Sequence, residues 1–221
     1  MMWRWIQASW RQILVSGFGG LVLVVVVLQS RDIGLANMYG DYIVEHSGLW
    51  AIRFLLISLL MTPLNTLLGW RWAIGLRKTA GLWAFGFALL HFVRYLSGVI
   101  KVIDLQLFRQ DYVVLGLVAL GILTAMALTS HRFAMKRMGK RWKQLHRLVY
   151  AAGIVMMVHA LVAYANTKRA FMGDQRVTVE VLIYLAALAV LLMVRVRFIR
   201  EAVGQIRGQL KMGDAPATPH S

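Results

Sequence analysis

Six apolar runs, each long enough to cross a lipid bilayer as a helix, recur along nearly the whole of this 221-residue chain. Because backbone polar groups in lipid must be hydrogen-bonded within their own segment, all six are predicted to be helices. The fold class is therefore predicted as all-α, an integral membrane bundle of six transmembrane helices. The predicted spans lie near residues 13–30, 49–68, 80–100, 112–130, 147–165 and 178–198.

The basic residues between these runs predict how the bundle is oriented. They gather on one side of the predicted membrane, and most of the acidic residues lie on the other. An excess of Lys and Arg marks the cytoplasmic side, so both termini are predicted to be cytoplasmic, in a bacterial inner membrane, with three loops facing the periplasm. The basic side carries Arg4, Arg11, Arg71, Arg77, Lys78, Arg132, Lys136, Arg137, Lys140, Arg141, Lys143, Arg195, Arg197, Arg200, Arg207 and Lys211.

The chain is predicted to form one membrane domain with a short tail. Residues 1–200 hold the six spans, and residues 201–221 are expected to be a basic, partly disordered cytoplasmic tail in which His220 has no role. The first run is predicted to be a retained span, because no small-residue cleavage site follows it. The net charge of +16 is explained by membrane topology, so nucleic acid is not expected as a partner.

Histidine is the only obvious metal ligand in this chain, since it contains no cysteine. His91 lies within the third predicted span and His159 within the fifth. Both spans run outward from the cytoplasm, and at 1.5 Å per residue both imidazoles lie at a depth of about 16–20 Å. An ionisable residue at membrane depth is a candidate for function, and here two are at matching height.

This matched pair predicts a b-type heme, because heme iron can take one imidazole from each face of the porphyrin. The alternative is that each histidine only hydrogen-bonds to a neighbouring helix. Small residues in the same two spans are expected to leave room for a flat macrocycle. They are Gly81, Gly86, Ala88, Ala151, Ala152 and Gly153.

His146 is the candidate for a second heme. It precedes His159 by thirteen residues, about 20 Å nearer the cytoplasm. The equivalent position before His91 is Lys78, which is not a plausible ligand, so the sequence supplies no second partner. His146 is a ligand of a lower heme, an interfacial residue, or a residue that contacts a propionate.

Three further residues have weaker candidate roles. His46 is expected just before the second span, as a helix cap or surface residue, with contact to a partner or a heme as the alternatives. His131 is expected at the inner end of the fourth span as a polar boundary residue. Arg94 lies one turn beyond His91 and could bind a heme propionate. Snorkelling of Arg94 to the outer interface is the alternative.

Several blocks of sequence resemble the MsrQ (YedZ) family, within the wider ferric-reductase-like transmembrane group. The blocks run from about residue 46 to 159. They are His46-Ser47-Gly48, Leu60-Met61-Thr62-Pro63-Leu64, Leu76-Arg77-Lys78, Gly81-Leu82-Trp83-Ala84-Phe85, Leu90-His91, Leu128-Thr129-Ser130, Gly139 to Tyr150, and His159.

The resemblance implies a heme-binding electron-transfer subunit, rather than the catalytic subunit, of a periplasmic protein-methionine-sulfoxide reductase system that repairs oxidised envelope proteins. It implies heme b, one or two per chain, associated with His91, His146 and His159, and an associated flavin mononucleotide (FMN). The implied electron donor is the quinone pool or a cytosolic flavin reductase. The implied acceptor is a periplasmic molybdenum-containing reductase.

Two other functions are weighed against this one. A stand-alone cytochrome b could act as a ferric or quinone oxidoreductase, and the residues do not specify the terminal acceptor. A heme-free transporter would need charge pairs or broken helices within the membrane. Apart from Pro63 in the second span, the sequence suggests neither.

Overall fold

The computed structural model describes residues 2–32, 42–102, 110–170 and 175–195. Every regular element in these ranges is an α-helix, which confirms the all-α prediction for them. The helices are α1 Met2–Asp32, α2 Tyr42–Leu68, α3 Arg71–Val102, α4 Asp111–Leu128, α5 Arg132–Met138, α6 Lys140–Arg147, α7 Val149–Ala170 and α8 Gln175–Met193. The predicted tail, residues 201–221 with His220, lies outside the described residues.

Five segments are long and apolar enough to cross a membrane. The sixth predicted span corresponds to α8, whose apolar part Val179–Met193 is shorter. The chain is thus a multi-pass membrane protein, while the number six stays a prediction. The five segments are Trp10–Gln29, Tyr42–Leu68, Arg71–Ser97, Asp111–Leu128 and Lys140–Asn166.

Two helix boundaries differ from those expected. Helix α2 begins at Tyr42, so His46 lies in its first two turns and not before it. The basic segment between the fourth and fifth spans is itself helical, forming α5 and α6. Gly139 separates these two helices with φ +52°, a conformation that only glycine adopts without steric cost.

Helix α2 lies at the centre of the bundle. It packs along α3, while α4 packs along α7, and α8 contacts both α2 and α7. Phe54 and Leu59 of α2 are fully buried, as are Phe87 of α3 and Met157 of α7. In lipid such helices associate through close packing rather than through the hydrophobic effect, so these interdigitated side chains fix the arrangement of the helices.

An aromatic cluster joins α1 to α2 and α3. The rings of Phe54 and Phe87 stack with centroids 5.5 Å apart, and Trp83 lies 5.9 Å from Phe87. Helix α1 approaches this cluster at Gly19, where an added Cβ would lie 2.4 Å from the Trp83 ring. Only glycine allows α1 to pack this closely.

Pro63 lies inside α2, as the sequence indicates. Proline has no N–H, so the carbonyl of Leu59 four residues earlier loses its helical donor. The guanidinium of Arg195, just after α8, donates a hydrogen bond to that carbonyl oxygen. The proline thereby creates an acceptor that ties the end of α8 to α2.

Candidate cofactor site

His91 of α3 and His159 of α7 lie side by side in the bundle. Their ring centroids are 5.9 Å apart, and the ring planes are nearly perpendicular, at 86°. The two helices therefore bring together the two histidines that the sequence placed at one depth. His91 and His159 are 68 residues apart in the sequence. Only the tertiary fold can therefore bring them together.

Each ring is held by a hydrogen bond to the backbone of a different helix. His91 Nδ1 lies 2.7 Å from the carbonyl oxygen of Val44 in α2, and His159 Nδ1 lies 2.6 Å from that of Tyr112 in α4. A carbonyl oxygen only accepts, so Nδ1 carries the proton in both rings. The Nε2 atom of each neutral imidazole is then the one with a free lone pair.

A glycine lies against each imidazole, one turn after the carbonyl that holds it. A Cβ added at Gly48 would lie 3.0 Å from His91 Nδ1, and one added at Gly116 would lie 3.0 Å from His159 Cε1. Both distances are shorter than ordinary van der Waals contact. Each ring therefore packs closely against one neighbouring helix, which supplies both the backbone acceptor and the glycine.

The two halves of this site repeat one arrangement at a constant offset in sequence. The carbonyl residue moves from 44 to 112, the glycine from 48 to 116 and the histidine from 91 to 159, so each offset is 68 residues. The pair α2–α3 therefore presents its imidazole in the same way as the pair α4–α7. This repeat was not predicted from the sequence, although its constant offset of 68 residues can be read there.

The paired rings fit the ligation of one metal ion between two imidazoles. A metal–imidazole bond is about 2.0 Å long, so a metal between two opposed rings places their centroids about 6 Å apart, near the 5.9 Å found here. Neutral imidazoles whose Nδ1–H is bonded to carbonyl oxygens are typical metal ligands. Within the described ranges, no three His, Cys, Asp or Glu side chains form a group that could hold a metal ion.

His146 and His46 are held differently. His146 Nδ1 lies 3.1 Å from the carbonyl oxygen of Trp142 in its own helix, and its ring stacks on the Trp142 indole at 4.0 Å. His46 bonds and stacks in the same way with Tyr42, also four residues earlier. The Nε2 atom of His146 is buried without a hydrogen-bond partner of normal geometry among the described residues. The backbone carbonyl of Met126 in α4 also interacts with this ring, so the ring is fixed between α4 and its own helix.

Two comparisons with known proteins identify the family. Residues 47–158 match the family described as ferric reductase like transmembrane component. The chain is also 32% identical over 176 residues to the protein-methionine-sulfoxide reductase heme-binding subunit MsrQ of Rhizobium meliloti (strain 1021), an alignment that covers 75% of this chain and 76% of that protein. The chain belongs to the MsrQ family. No solved structure matches it.

The ferric-reductase-like region contains most of the site of this MsrQ family member. It includes Gly48, His91, Gly116 and His146, and it ends one residue before His159. The helix break between α6 and α7 falls at Leu148. His146 and His159 thus belong to separate helices, α6 and α7.

Two of the small residues that were expected to make room for a macrocycle pack against side chains of other helices. A Cβ at Gly153 would lie 3.3 Å from Leu188 of α8, and one at Gly81 would lie 3.4 Å from Ser58 of α2. These two glycines allow close helix packing, and the room for a macrocycle stays a prediction. A Cβ at Gly86 meets nothing within 4 Å. Arg94 lies on α3, three residues beyond His91.

His131 has a defined local role that agrees with its predicted place at the inner end of the fourth span. It is the N-cap of α5, and its Nδ1 accepts a hydrogen bond from the backbone N–H of Ala134 at 3.1 Å. A side chain that satisfies a helix N-terminus in this way stabilises the start of the helix. Nothing in this geometry connects His131 to the paired histidines.

A charged cluster between α2 and α8 was missed from the sequence. Arg53 forms an ion pair with Glu180, and Tyr184 bonds to both, with Arg53 Nε 2.7 Å from the Tyr184 hydroxyl oxygen. The Arg53 guanidinium also lies 4.5 Å from the Trp50 ring. The expectation that the spans hold no charge pair is therefore wrong. Spacing along the sequence could not reveal it, because the partners are 127 residues apart.

Proposed function

We propose that this chain is a heme-containing membrane electron-transfer subunit, in which His91 and His159 are the two axial ligands of a b-type heme. The observation that carries the proposal is the pair of imidazoles 5.9 Å apart, each with Nδ1 bonded to a backbone carbonyl of another helix. Membership of a family whose Rhizobium meliloti relative is named a heme-binding subunit supports it.

The protein's part in this function is to hold two neutral imidazoles with Nε2 available. When bound, heme supplies a reversible one-electron carrier within the bilayer. The bonds to Val44 and Tyr112 fix the tautomer and orientation of each ring, and they raise the basicity of the ligating nitrogen. Gly48 and Gly116 lie on the same helices as these carbonyls and let each ring pack closely against that helix. The ligands are thus positioned before the cofactor arrives.

We further propose six membrane spans, with both termini in the cytoplasm of a bacterial cell and the protein in its inner membrane. Helix α8 is the sixth span, and the domain extends over residues 1–200. The basic helices α5 and α6 then face the cytoplasm, as the positive-inside rule requires. His91 and His159 lie in the outer half of the bilayer, where electrons can leave toward the periplasm.

The proposed partners follow from the family. The acceptor is a periplasmic molybdopterin-containing methionine-sulfoxide reductase, and the donor is the quinone pool or a cytosolic flavin reductase, with FMN as an associated cofactor. The support is the alignment over three quarters of both chains, 75% of this one and 76% of the relative. In this role the chain carries electrons, and the partner catalyses the reduction of methionine sulfoxide.

His146 and Arg94 have proposed supporting roles toward heme. The buried Nε2 of His146 is suited to ligate a second heme nearer the cytoplasm or to donate to a propionate. Arg94 follows His91 by about one turn, so its guanidinium is placed to bind a propionate of the outer heme. Both roles depend on the His91–His159 pair, which defines where the first heme lies.

The test is the absorption spectrum and heme count of three single variants. His91→Ala and His159→Ala should each remove the same low-spin heme, because one lost imidazole leaves the iron five-coordinate. His146→Ala should keep that heme or remove only a second one, and it should slow reduction from the cytoplasmic side. His131→Asn is the matched control, since asparagine keeps the helix cap without an imidazole.

Two outcomes would contradict the proposal. A colourless protein purified from heme-replete cells would exclude the cofactor. Loss of the outer heme in His146→Ala, with retention in His91→Ala, would show that the pairing is wrong. Co-purification of a periplasmic reductase decides between this function and a stand-alone ferric or quinone oxidoreductase, which the ferric-reductase-like match favours as the second candidate.

A further inference from the structure

A cavity of about 350 Å³ lies between the ends of α2, α6, α7 and α8, away from the paired histidines. Its position at the Pro63 end of α2 places it on the side where the basic helices α5 and α6 lie. A volume of this size is at the lower end of the range for small-molecule sites. The lining residues are Thr62, Pro63, Thr66, Arg147, Tyr150, Val194 and Arg195.

Hydrogen-bond donors at this cavity are buried without partners. Arg195 donates from Nη2 to the Leu59 carbonyl, but its Nε and Nη1 are buried and have no partner of normal geometry among the described residues. The hydroxyl Oγ1 of Thr62 is in the same state. The Tyr150 hydroxyl also interacts with the Arg195 guanidinium, but it cannot accept from every N–H of that group. A buried donor left unpaired costs about 1–3 kcal/mol, so the remaining guanidinium donors and the Thr62 hydroxyl indicate room for a further acceptor beside the cavity.

The charge of the lining specifies the kind of acceptor. Arg147 and Arg195 supply two guanidinium groups, and no lining residue is acidic. Within the described part of the chain, neither arginine has a carboxylate within 4 Å, since the ion pair found there joins Arg53 and Glu180. The cavity is therefore cationic and requires an anion.

Arg195 is held in position for this purpose. Its guanidinium lies 4.9 Å from the Tyr150 ring, and its Nη2 is anchored by the carbonyl that Pro63 leaves free. These two contacts and the interaction with the Tyr150 hydroxyl fix the plane of the guanidinium, while N–H donors that these contacts do not use face the cavity. Such an arginine needs no rearrangement to receive an anion, which favours binding because little side-chain entropy is lost.

We propose that this cavity binds a phosphate group, carried either by a soluble phosphate monoester or by the head group of an anionic phospholipid. Two cationic side chains and a hydroxyl suit the charge of about −1.5 to −2 and the three acceptor oxygens of a phosphate monoester. The phosphodiester of an anionic phospholipid carries one negative charge and still offers acceptor oxygens to both guanidinium groups. The apolar faces of Pro63, Tyr150 and Val194 are available to the group that bears the phosphate.

The test uses two pairs of probes: the members of the first differ by a phosphate, and the members of the second differ in the net charge of a phospholipid head group. FMN and riboflavin differ only by a phosphate, and their binding to the purified full-length protein is measured by equilibrium dialysis, with inorganic phosphate as competitor. Phosphatidylglycerol and phosphatidylcholine are compared by native mass spectrometry of the protein from matched nanodiscs. Binding of FMN alone identifies a soluble monoester, and retention of phosphatidylglycerol alone identifies a lipid.

Two variants connect the binding to this cavity. Arg147→Gln and Thr62→Val should each weaken the phosphate-dependent binding by about tenfold or more, because each removes a donor to a charged group. Both leave the contact between Arg195 and the Leu59 carbonyl in place, so α8 should stay anchored. Arg141→Gln, on α6 but outside the lining, is the matched control and should bind as the wild type does.

The proposal is overturned by either of two results. One is that neither the phosphate of FMN nor the head group of phosphatidylglycerol increases binding to the wild-type protein. The other is that binding occurs but Arg147→Gln and Thr62→Val match Arg141→Gln. Heme content is measured in the same samples, so a loss of the proposed heme site would be distinguished from a loss of phosphate binding.

Discussion

Replacement of Gly116 by alanine tests how the imidazole of His159 is held. The added Cβ would lie 3.0 Å from Cε1, 3.1 Å from Nδ1 and 3.6 Å from Nε2 of His159. Ordinary contact begins near 3.4 Å, so the ring must move by about 0.4 Å, and overpacking of this kind costs about 1–3 kcal/mol. At about 1.4 kcal/mol per tenfold, heme affinity should fall about 5- to 150-fold.

The assay is titration of heme into the apoprotein, together with electron paramagnetic resonance of the loaded protein. We expect weaker binding and a changed low-spin signal, because the variant shifts the ring rather than removing it. Gly121→Ala is the matched control on the same helix, since a Cβ there meets nothing within 4 Å. Equal affinities and identical spectra for the two variants would refute the close packing of Gly116 against the His159 ring.

Three other predictions follow from the same structure. Gly48→Ala should change the signal of the same heme as Gly116→Ala, because its Cβ would lie 3.0 Å from His91 Nδ1; an unchanged spectrum would contradict the repeated arrangement. Glu180→Gln and Arg53→Gln should each lower the thermal unfolding midpoint. The double variant should show a coupling free energy of about 1 kcal/mol between the two side chains, as for partly exposed pairs. Additive effects on the free energy of unfolding would show that the pair does not stabilise α2 against α8. Topology reporters should be periplasmic at residues 105 and 172 and cytoplasmic at residue 138, and the opposite pattern would exclude outward electron delivery.

The order of the apolar runs and the depth of the histidines could be predicted from the sequence alone. Apolar length determines which segments can lie in lipid, because the bilayer thickness sets a minimum span. The fixed rise of a helix then gives the depth of any residue within it. His91 and His159 were therefore predicted at one level, although their roles as ligands stay proposals.

Contacts between distant segments depended on the tertiary structure. The carbonyl partners of His91 and His159 lie 47 residues away along the chain, and the pairing of Arg53 with Glu180 joins α2 to α8. Gly153 was expected to make room for a macrocycle, and in the structure it packs against Leu188. A local pattern shows that a backbone can approach closely, but not which helix approaches it, because that choice is made by packing of the whole bundle.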